Sequence, residues 1–218
     1  MDRALLRDIT LVGLAVGVIG LSYGAIAVAS GFPLWFPVVL GLTVLAASSE
    51  FLFIGIVAAG GSPVAAVLAG LLVNARHLPF GLALPDVLGH GWRRLLGTHL
   101  MNDETVVFAL AQEDPERKKA AYWACGLGIL VCWPLGALTG GAIGTVIDDT
   151  DDLGLDAMFP AILLALIVPA FTDREKRRAG LAGAAVALAA TPFLPAGLPV
   201  LLALTGLSLT AAREKDHP

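Results

Sequence analysis

Long apolar runs, broken at short intervals by glycine, proline and a few charges, organise this chain. They fall at about 9–29, 34–59, 62–85, 120–146, 157–172, 179–193 and 196–212, with a weaker run at 95–112. Most approach the ~20 residues with which an α-helix crosses a bilayer core. The pattern therefore predicts an all-α, polytopic transmembrane bundle of about seven membrane segments, or eight if 95–112 crosses. The connections are short, among them SGFPLW, GGSP, the acidic DDTDDLGLD (148–156) and the basic DREKRR (173–178). Glycine and proline stand at nearly every junction, as helix punctuation requires. One integral membrane domain spanning 1–218 follows, with no separate soluble module.

The weak run carries His99, Asn102, Asp103 and Glu104. A charged side chain at a membrane helix centre costs ~2.5–3.5 kcal/mol on insertion scales. Segment 95–112 is accordingly a loop, or a re-entrant or internal helix sheltered by protein. Basic residues concentrate on the cytoplasmic side of membrane proteins. Seven helices with an external N-terminus place Arg93, Arg94, 117–119, 174–178 and the tail inside, and only Arg3 and Arg7 outside. Eight helices put the N-terminus inside and only Arg93 and Arg94 outside. Both schemes put DREKRR and the C-terminus in the cytoplasm and the acidic loop outside, for a multi-pass protein of the inner (plasma) membrane.

Composition agrees. Of 218 residues, 57% are apolar and 15% charged, too few to clothe a soluble domain of this size. The net charge of −4 says little, because charges in such proteins act through loop placement. No basic stripe interleaved with aromatics suggests nucleic-acid binding. The N-terminal apolar run exceeds the ~7–15 residues of a signal-peptide core and reads as a retained first helix. Cys125 and Cys132 lie seven apart on one helix, out of disulfide reach, and no metal-ligand grouping accompanies them. They read as packing residues. Glycines four apart, at 13/17, 20/24 and 136/140/144, predict helices that approach closely through small residues. Trp35 and Trp123 stand near segment ends, as interfacial anchors do, while Trp133 falls inside its segment and packs.

Four polar clusters interrupt the apolar runs: Ser22-Tyr23, Ser48-Ser49-Glu50, the NARH stretch with Asn74, Arg76 and His77, and Asn102-Asp103-Glu104. GLSYG (20–24) matches the G-x-S-x-G nucleophile pattern, which has meaning only at a strand-to-helix turn. Inside an apolar helix, Ser22 either bonds its own backbone or lines a polar cavity. Glu50 lies about 13 Å along a helix from the end of its run, close to mid-membrane. An ionisable group at that depth marks a functional site, or else a structural pair with Arg76 or neighbouring serines. In NARH, Asn74 and His77 share a helix face and Arg76 points elsewhere. Pro79 frees carbonyls near Ala75 and breaks the helix, and such a break can offer backbone groups to a zwitterionic ligand.

These clusters together resemble the AzlC family, the large subunits of branched-chain amino-acid exporters. The resemblance covers nearly the whole chain. It rests on LSYG (21–24), NARH (74–77) and THLMNDETVVFA (98–109), which looks like that family's T-x-D-E segment. PLGALTGGAIG (134–144) and DLGLDAMFPAILLALIVP (152–169) look like its later helices. One departure stands out: ASSEF (47–51) has Glu50 where the family usually carries glutamine. The resemblance implies proton-linked export of branched-chain or other small aliphatic amino acids, in complex with a small AzlD-like membrane subunit. On that reading Ser22, Tyr23, Ser48, Ser49, Asn74, Arg76 and His77 bind substrate, and Glu50, Asp103 and Glu104 handle protons. No cofactor, metal or catalytic residue is implied, and the absence of a P-loop pattern points away from ATP.

Two other classes share the same residues. Ser22 or Ser49 with His77 would form the nucleophile–base pair of an intramembrane hydrolase, given hydrogen-bond contact and an oxyanion donor. A channel or scaffold subunit of a membrane complex would need neither.

Overall fold

A computed structural model describes residues 2–145, 164, 168–194 and 198–207 of the chain. The acidic loop 148–156, most of the run 157–172 and the basic tail lie outside the described residues. Those described are helical, with no strand among them. They belong to two compact units, one of Met1–Glu50 and Val73–Asp156 and the other of Phe51–Leu72 and Ala157–Pro218.

The first unit is built on two long helices, α1 (Arg3–Ala29) and α8 (Pro115–Gly144). At 27 and 30 residues they are long and apolar enough to cross a membrane. Each starts at an aspartate cap, Asp2 accepting from the Leu5 N–H at 2.8 Å and Asp114 from the Arg117 N–H at 2.8 Å. The two helices run side by side in the same direction. Gly20 meets Trp133 and Gly136, Gly24 meets Ala137 and Gly141, and Gly144 meets Ala25. At the head of the pair, Arg117 forms an ion pair with Asp2. The predicted glycine contacts are thus realised, and backbone lies on backbone.

Between these helices the chain is broken three times. The run 34–59 divides into α2 (Trp35–Thr43) and α3 (Ala47–Ala58), separated by Leu45 at a φ of +51°. That conformation is strained for a residue with a γ-branched side chain. The run 62–85 divides at Ala75-Arg76 into α4 (Pro63–Asn74) and α5 (His77–Ala83), as Pro79 predicts. The weak run divides into α6 (Trp92–His99) and α7 (Asp103–Leu110), with Asn102 capping the second. Asn102 Oδ1 accepts from the Thr105 N–H at 2.9 Å, and Thr105 Oγ1 accepts from the Asn102 N–H at 3.0 Å. This reciprocal cap satisfies orphan donors at the start of α7.

The course of α6 and α7 settles how 95–112 runs. Trp92 and Arg93 share a cavity wall with Lys119 and Trp123, Gly97 O accepts from the Tyr122 hydroxyl at 2.7 Å, and Leu100 packs on Gly126. So α6 follows α8 inward from its charged end, and α7 returns to join it at Pro115. The segment is a hairpin. It does not travel from one end of α8 to the other.

Neither scheme of sidedness fits these contacts. An external N-terminus would separate Asp2 from Arg117 by a membrane, and a crossing 95–112 would separate Arg93 from Lys119; both pairs are together. At the far end, Leu34 packs on Gly141, while Leu84 clusters with Tyr122 near the charged end. Leu34 and Leu84 thus lie toward opposite ends of α8 within this unit, whereas two full crossings between them would return the chain to the end it left.

In the second unit, Ile56, Ala66 and Ala69 form a small core with Leu52, Phe53, Val57 and Leu201 against it. Helix α9 (Arg174–Ala190) carries most of the basic run DREKRR as its first turns rather than as a loop. Its cap, Asp173, accepts from the N–H groups of Glu175 and Lys176 at 2.9 and 3.2 Å. Those backbone donors hold its carboxyl below the ordinary carboxylate range. After α10 (Leu198–Leu202), a 3-10 turn (Ala203–Leu207) packs on α9, with Gly183 under the Ala203 carbonyl and Gly206 under that of Ala179.

Candidate functional site

The three breaks of the first unit meet. Arg76, in the turn between α4 and α5, donates from Nη2 to Ser48 Oγ at 3.1 Å and pairs with Asp103 Oδ2 at 3.0 Å. It therefore joins the start of α3 to the start of α7. Beside it, Asn74 Nδ2 donates to Ser49 Oγ at 3.0 Å, and His77 Nδ1 lies 2.8 Å from the Asn74 carbonyl. The sequence reading sends Arg76 away from Asn74 and His77. The structure brings it to the centre, because Ala75 and Arg76 are in a turn and helical spacing does not apply there. Arg76 pairs with Asp103, and not with Glu50 as the structural alternative supposed.

Elementary hydrogen-bond bookkeeping fixes the polarity of this junction. The Ser49 hydroxyl hydrogen goes to the Ala46 carbonyl at 2.8 Å, so toward Asn74 the oxygen can only accept. Asn74 must present its NH2 group there, which leaves Oδ1 pointing elsewhere. A carbonyl opposite His77 Nδ1 requires the hydrogen on that nitrogen, so in the neutral ring Nε2 is an acceptor. Four shielded atoms find no hydrogen-bond partner among the described residues: Asn74 Oδ1, Arg76 Nε, His77 Nε2 and Asn102 Nδ2. Two accept and two donate. Shielded polar groups are ordinarily paired, so such a set marks a place where something polar is held. Phe80 stands edge-on to His77 with centroids 5.9 Å apart, and Met101 Cε reaches Gly81, so apolar surface borders the polar atoms.

Glu50 lies deeper, one turn into α3, and is almost wholly buried. One oxygen accepts from the Ala46 N–H at 2.9 Å, closing the break before α3. The other accepts from Trp133 Nε1 at 3.1 Å. Tyr23 stacks on the Trp133 ring with centroids 5.1 Å apart and is itself a partner of Glu50. Gly41 makes this possible, since a Cβ there would press on the indole at 3.0 Å. Thus the first two predicted clusters join, through a tryptophan that sequence reasoning assigned to packing alone. The signal available was its placement: Trp133 lies inside an apolar helix, and a buried indole N–H needs an acceptor.

Ser22 is buried on α1, and Glu104 is half-buried on the first turn of α7. Ser49 does not meet the geometry of an intramembrane nucleophile. Its hydrogen is committed to a backbone carbonyl, and Asn74 rather than His77 is its side-chain neighbour. Cys125 and Cys132 are free thiols, and no three metal-ligating side chains cluster among the described residues. The residue that sequence reasoning left out of the site is Asn102, whose shielded Nδ2 has no hydrogen-bond partner among the described residues and which stands next to Asp103, the partner of Arg76.

The chain is 25% identical over 202 residues to the branched-chain amino acid transport protein AzlC of Bacillus subtilis, covering 90% of this chain and 79% of that one. It is 28% identical over 174 residues to an uncharacterized membrane protein of Haemophilus influenzae, covering 78% and 71%. A membrane protein of Helicobacter pylori is 26% identical over 178 residues, covering 78% and 77%. No solved structure matches. The AzlC protein family model matches residues 12–147, which contain all three helix breaks, Glu50 and Trp133, and the chain belongs to the AzlC family.

Proposed function

We propose that this chain is a secondary-active transporter of the plasma membrane that exports small aliphatic amino acids, the branched-chain ones among them, together with a small AzlD-like subunit. The observation that carries the reading is the set of four unpartnered atoms where the helix breaks meet. An α-amino acid is a carboxylate and an ammonium on one carbon. Arg76 Nε and Asn102 Nδ2 supply donors for the first, and Asn74 Oδ1 and His77 Nε2 supply acceptors for the second. Helix breaks within membrane segments are where transporters expose such groups. The apolar border of Phe80 and Met101 suits an aliphatic side chain and gives a charged one no partner. Ser48 and Ser49 hold Arg76 and Asn74 in place, so their role is to shape the site.

Proton linkage belongs to the same proposal. Of the three candidate acids, Glu50 has both oxygens engaged by N–H donors. Asp103 is half-exposed and its partner is the arginine that joins the helix breaks. Taking up a proton at Asp103 releases Arg76, which is a change the substrate site would feel directly. Glu104, beside it, shares that position on α7.

The test is counterflow of labelled leucine into proteoliposomes holding this chain with its small subunit. Leucine and valine should compete, whereas isopentylamine and 4-methylpentanoate, each lacking one charged group, should not. Arg76→Ala should reduce flux about 10- to 100-fold, as expected when a partly buried charge-assisted contact of roughly 1.5–3 kcal/mol is removed. Counterflow absent in the parent, or inhibited equally by isopentylamine, would remove the zwitterion reading.

A further inference from the structure

A second site lies at the charged end of α8, away from the helix breaks. We propose that the cavity between the 89–93 turn and the first turns of α8 binds the phosphate headgroup of an anionic phospholipid. It encloses about 410 Å³ and is lined by Gly89, His90, Trp92, Arg93, Lys119 and Trp123.

Charge is the first reason. Arg93 and Lys119 come from separate elements and converge on one space, and neither has an ion-pair partner among the described residues. Arg117, on the same turn of α8 as Lys119, is instead neutralised by Asp2. An unpaired guanidinium and ammonium facing a common cavity suit a phosphate, which arginine binds through its fork and lysine as a point charge.

The walls are fixed. Gly89 and Gly91 take φ values of +81° and +57°, which turn the chain sharply from Leu88 into α6. A side chain at Gly89 would be strained and would crowd the Arg93 Cβ at 3.3 Å. The Arg93 guanidinium lies 5.8 Å over the Trp92 ring, and the Trp123 indole donates to the Val87 carbonyl at 3.1 Å. The Trp123 indole is thus anchored to backbone and the Arg93 guanidinium lies against a neighbouring ring, so these two walls do not depend on a ligand.

Depth identifies the source of the phosphate. Lys119 is the last charge of α8 before its apolar run begins at Ala120. Next to the cavity, Trp92 is 70% exposed and Leu95 75% exposed. Free phosphate would leave those apolar side chains uncovered. A phospholipid places its phosphate between the cations and its acyl chains over Trp92 and Leu95, at the level where tryptophan settles in membranes.

Native mass spectrometry of the full chain, released from nanodiscs of phosphatidylcholine containing phosphatidylglycerol, reads the proposal. The parent should retain phosphatidylglycerol in preference to phosphatidylcholine. Arg93→Gln with Lys119→Gln should retain about 25-fold less, at about five-fold for each of the two basic residues. Arg94→Gln with Lys118→Gln removes the same charge outside the cavity and should change little. Equal loss in both pairs would overturn the site in favour of diffuse surface charge. Equal retention of phosphatidylcholine would reduce it to apolar packing, and displacement by millimolar inorganic phosphate would make it a free-anion site. If the double variant does not fold, Lys119→Gln alone, at an exposed position, carries the same comparison.

Discussion

The α1–α8 pair and the cluster of broken helices solve one problem in opposite ways. Both must satisfy backbone and fill space in an apolar setting. In the pair, the backbone hydrogen bonds stay inside each helix and the closest contact between helices is made by glycine against carbonyl. Around Arg76, the helices stop, and side chains take over what the backbone has lost: Glu50 for the Ala46 N–H, Ser49 for the Ala46 carbonyl, Asn102 for the Thr105 N–H. The first solution leaves no space for a side chain between the two backbones. The second leaves four polar atoms over, and its bonds are the kind that a ligand or proton exchanges. A transporter needs both, a part that stays and a part that answers.

The largest effect should come from breaking the rigid half. A Cβ at Gly140 would overlap the Leu21 carbonyl, and one at Gly24 would overlap the carbonyl of Ala137. Neither neighbour can rotate away, since both are backbone. Gly140→Val should therefore force the helices apart and cost more than the ~1–3 kcal/mol typical of overpacking. Gly128 lies on the same helix with nothing near it, and Gly128→Ala should be neutral or stabilising by up to ~1 kcal/mol through helix propensity. Thermal unfolding in detergent checks both. A Gly140→Val protein with the parent's midpoint would mean that the pair is not what holds the unit together.

Glu50→Gln probes the boundary between the halves, because Glu50 ties the start of α3 to Trp133 on α8. The carboxylate meets one N–H on each oxygen. Glutamine offers a single oxygen, and its NH2 group would face the remaining donor. The expected cost is ~1–3 kcal/mol for a buried donor left unpaired. Asp103→Asn, at a half-exposed position, should cost far less stability yet free Arg76. If the proton-linked step lies at Asp103, Asp103→Asn should flatten the pH dependence of leucine flux while Glu50→Gln keeps the parent's profile at lower stability. The reverse result, a stable Glu50→Gln protein whose flux no longer depends on pH, would move coupling to Glu50 and make the carboxylate part of the responsive half.

What the sequence disclosed follows the same division. Regular helices declare themselves through unbroken apolar runs and glycines four apart, so α1, α8 and their small-residue faces were legible, while which helix meets which was not. The break at Ala75-Arg76 was legible too, since Pro79 removes a donor one turn away. The break at Leu45 was not. No glycine or proline stands among 44–46, and the left-handed turn is held by Glu50 from four residues downstream. Long-range partners were equally silent, because the pairing of Arg76 with Asp103 and of Trp133 with Glu50 depends on how three broken segments fold back. Counting charges on either side of the membrane presumed that each apolar run crosses, and a hairpin defeats that presumption.

The smallest effect concerns the exposed head of the rigid pair, and it tests the parallel arrangement of α1 and α8. Asp2 caps α1 through the Leu5 N–H and pairs with Arg117 at the start of α8. The Leu5 hydrogen bond first, and then Arg117, hold its carboxyl below the ordinary value of 3.8. A carboxyl whose pKa is lowered by folding stabilises the fold in its ionised form. That contribution is complete above the unfolded value and disappears as pH falls through the folded one. Asp2→Ala should therefore lower the thermal midpoint slightly and by a constant amount from pH 7 down to about pH 5. The difference from the parent should shrink below pH 4 and vanish in stronger acid, where Asp2 is protonated in both states. Added salt should shrink the Arg117 part of it at neutral pH and leave the cap. A midpoint difference that persists unchanged in acid would show that Asp2 acts through something other than its charge, and the ion pair that aligns the two helix heads would no longer support their parallel course.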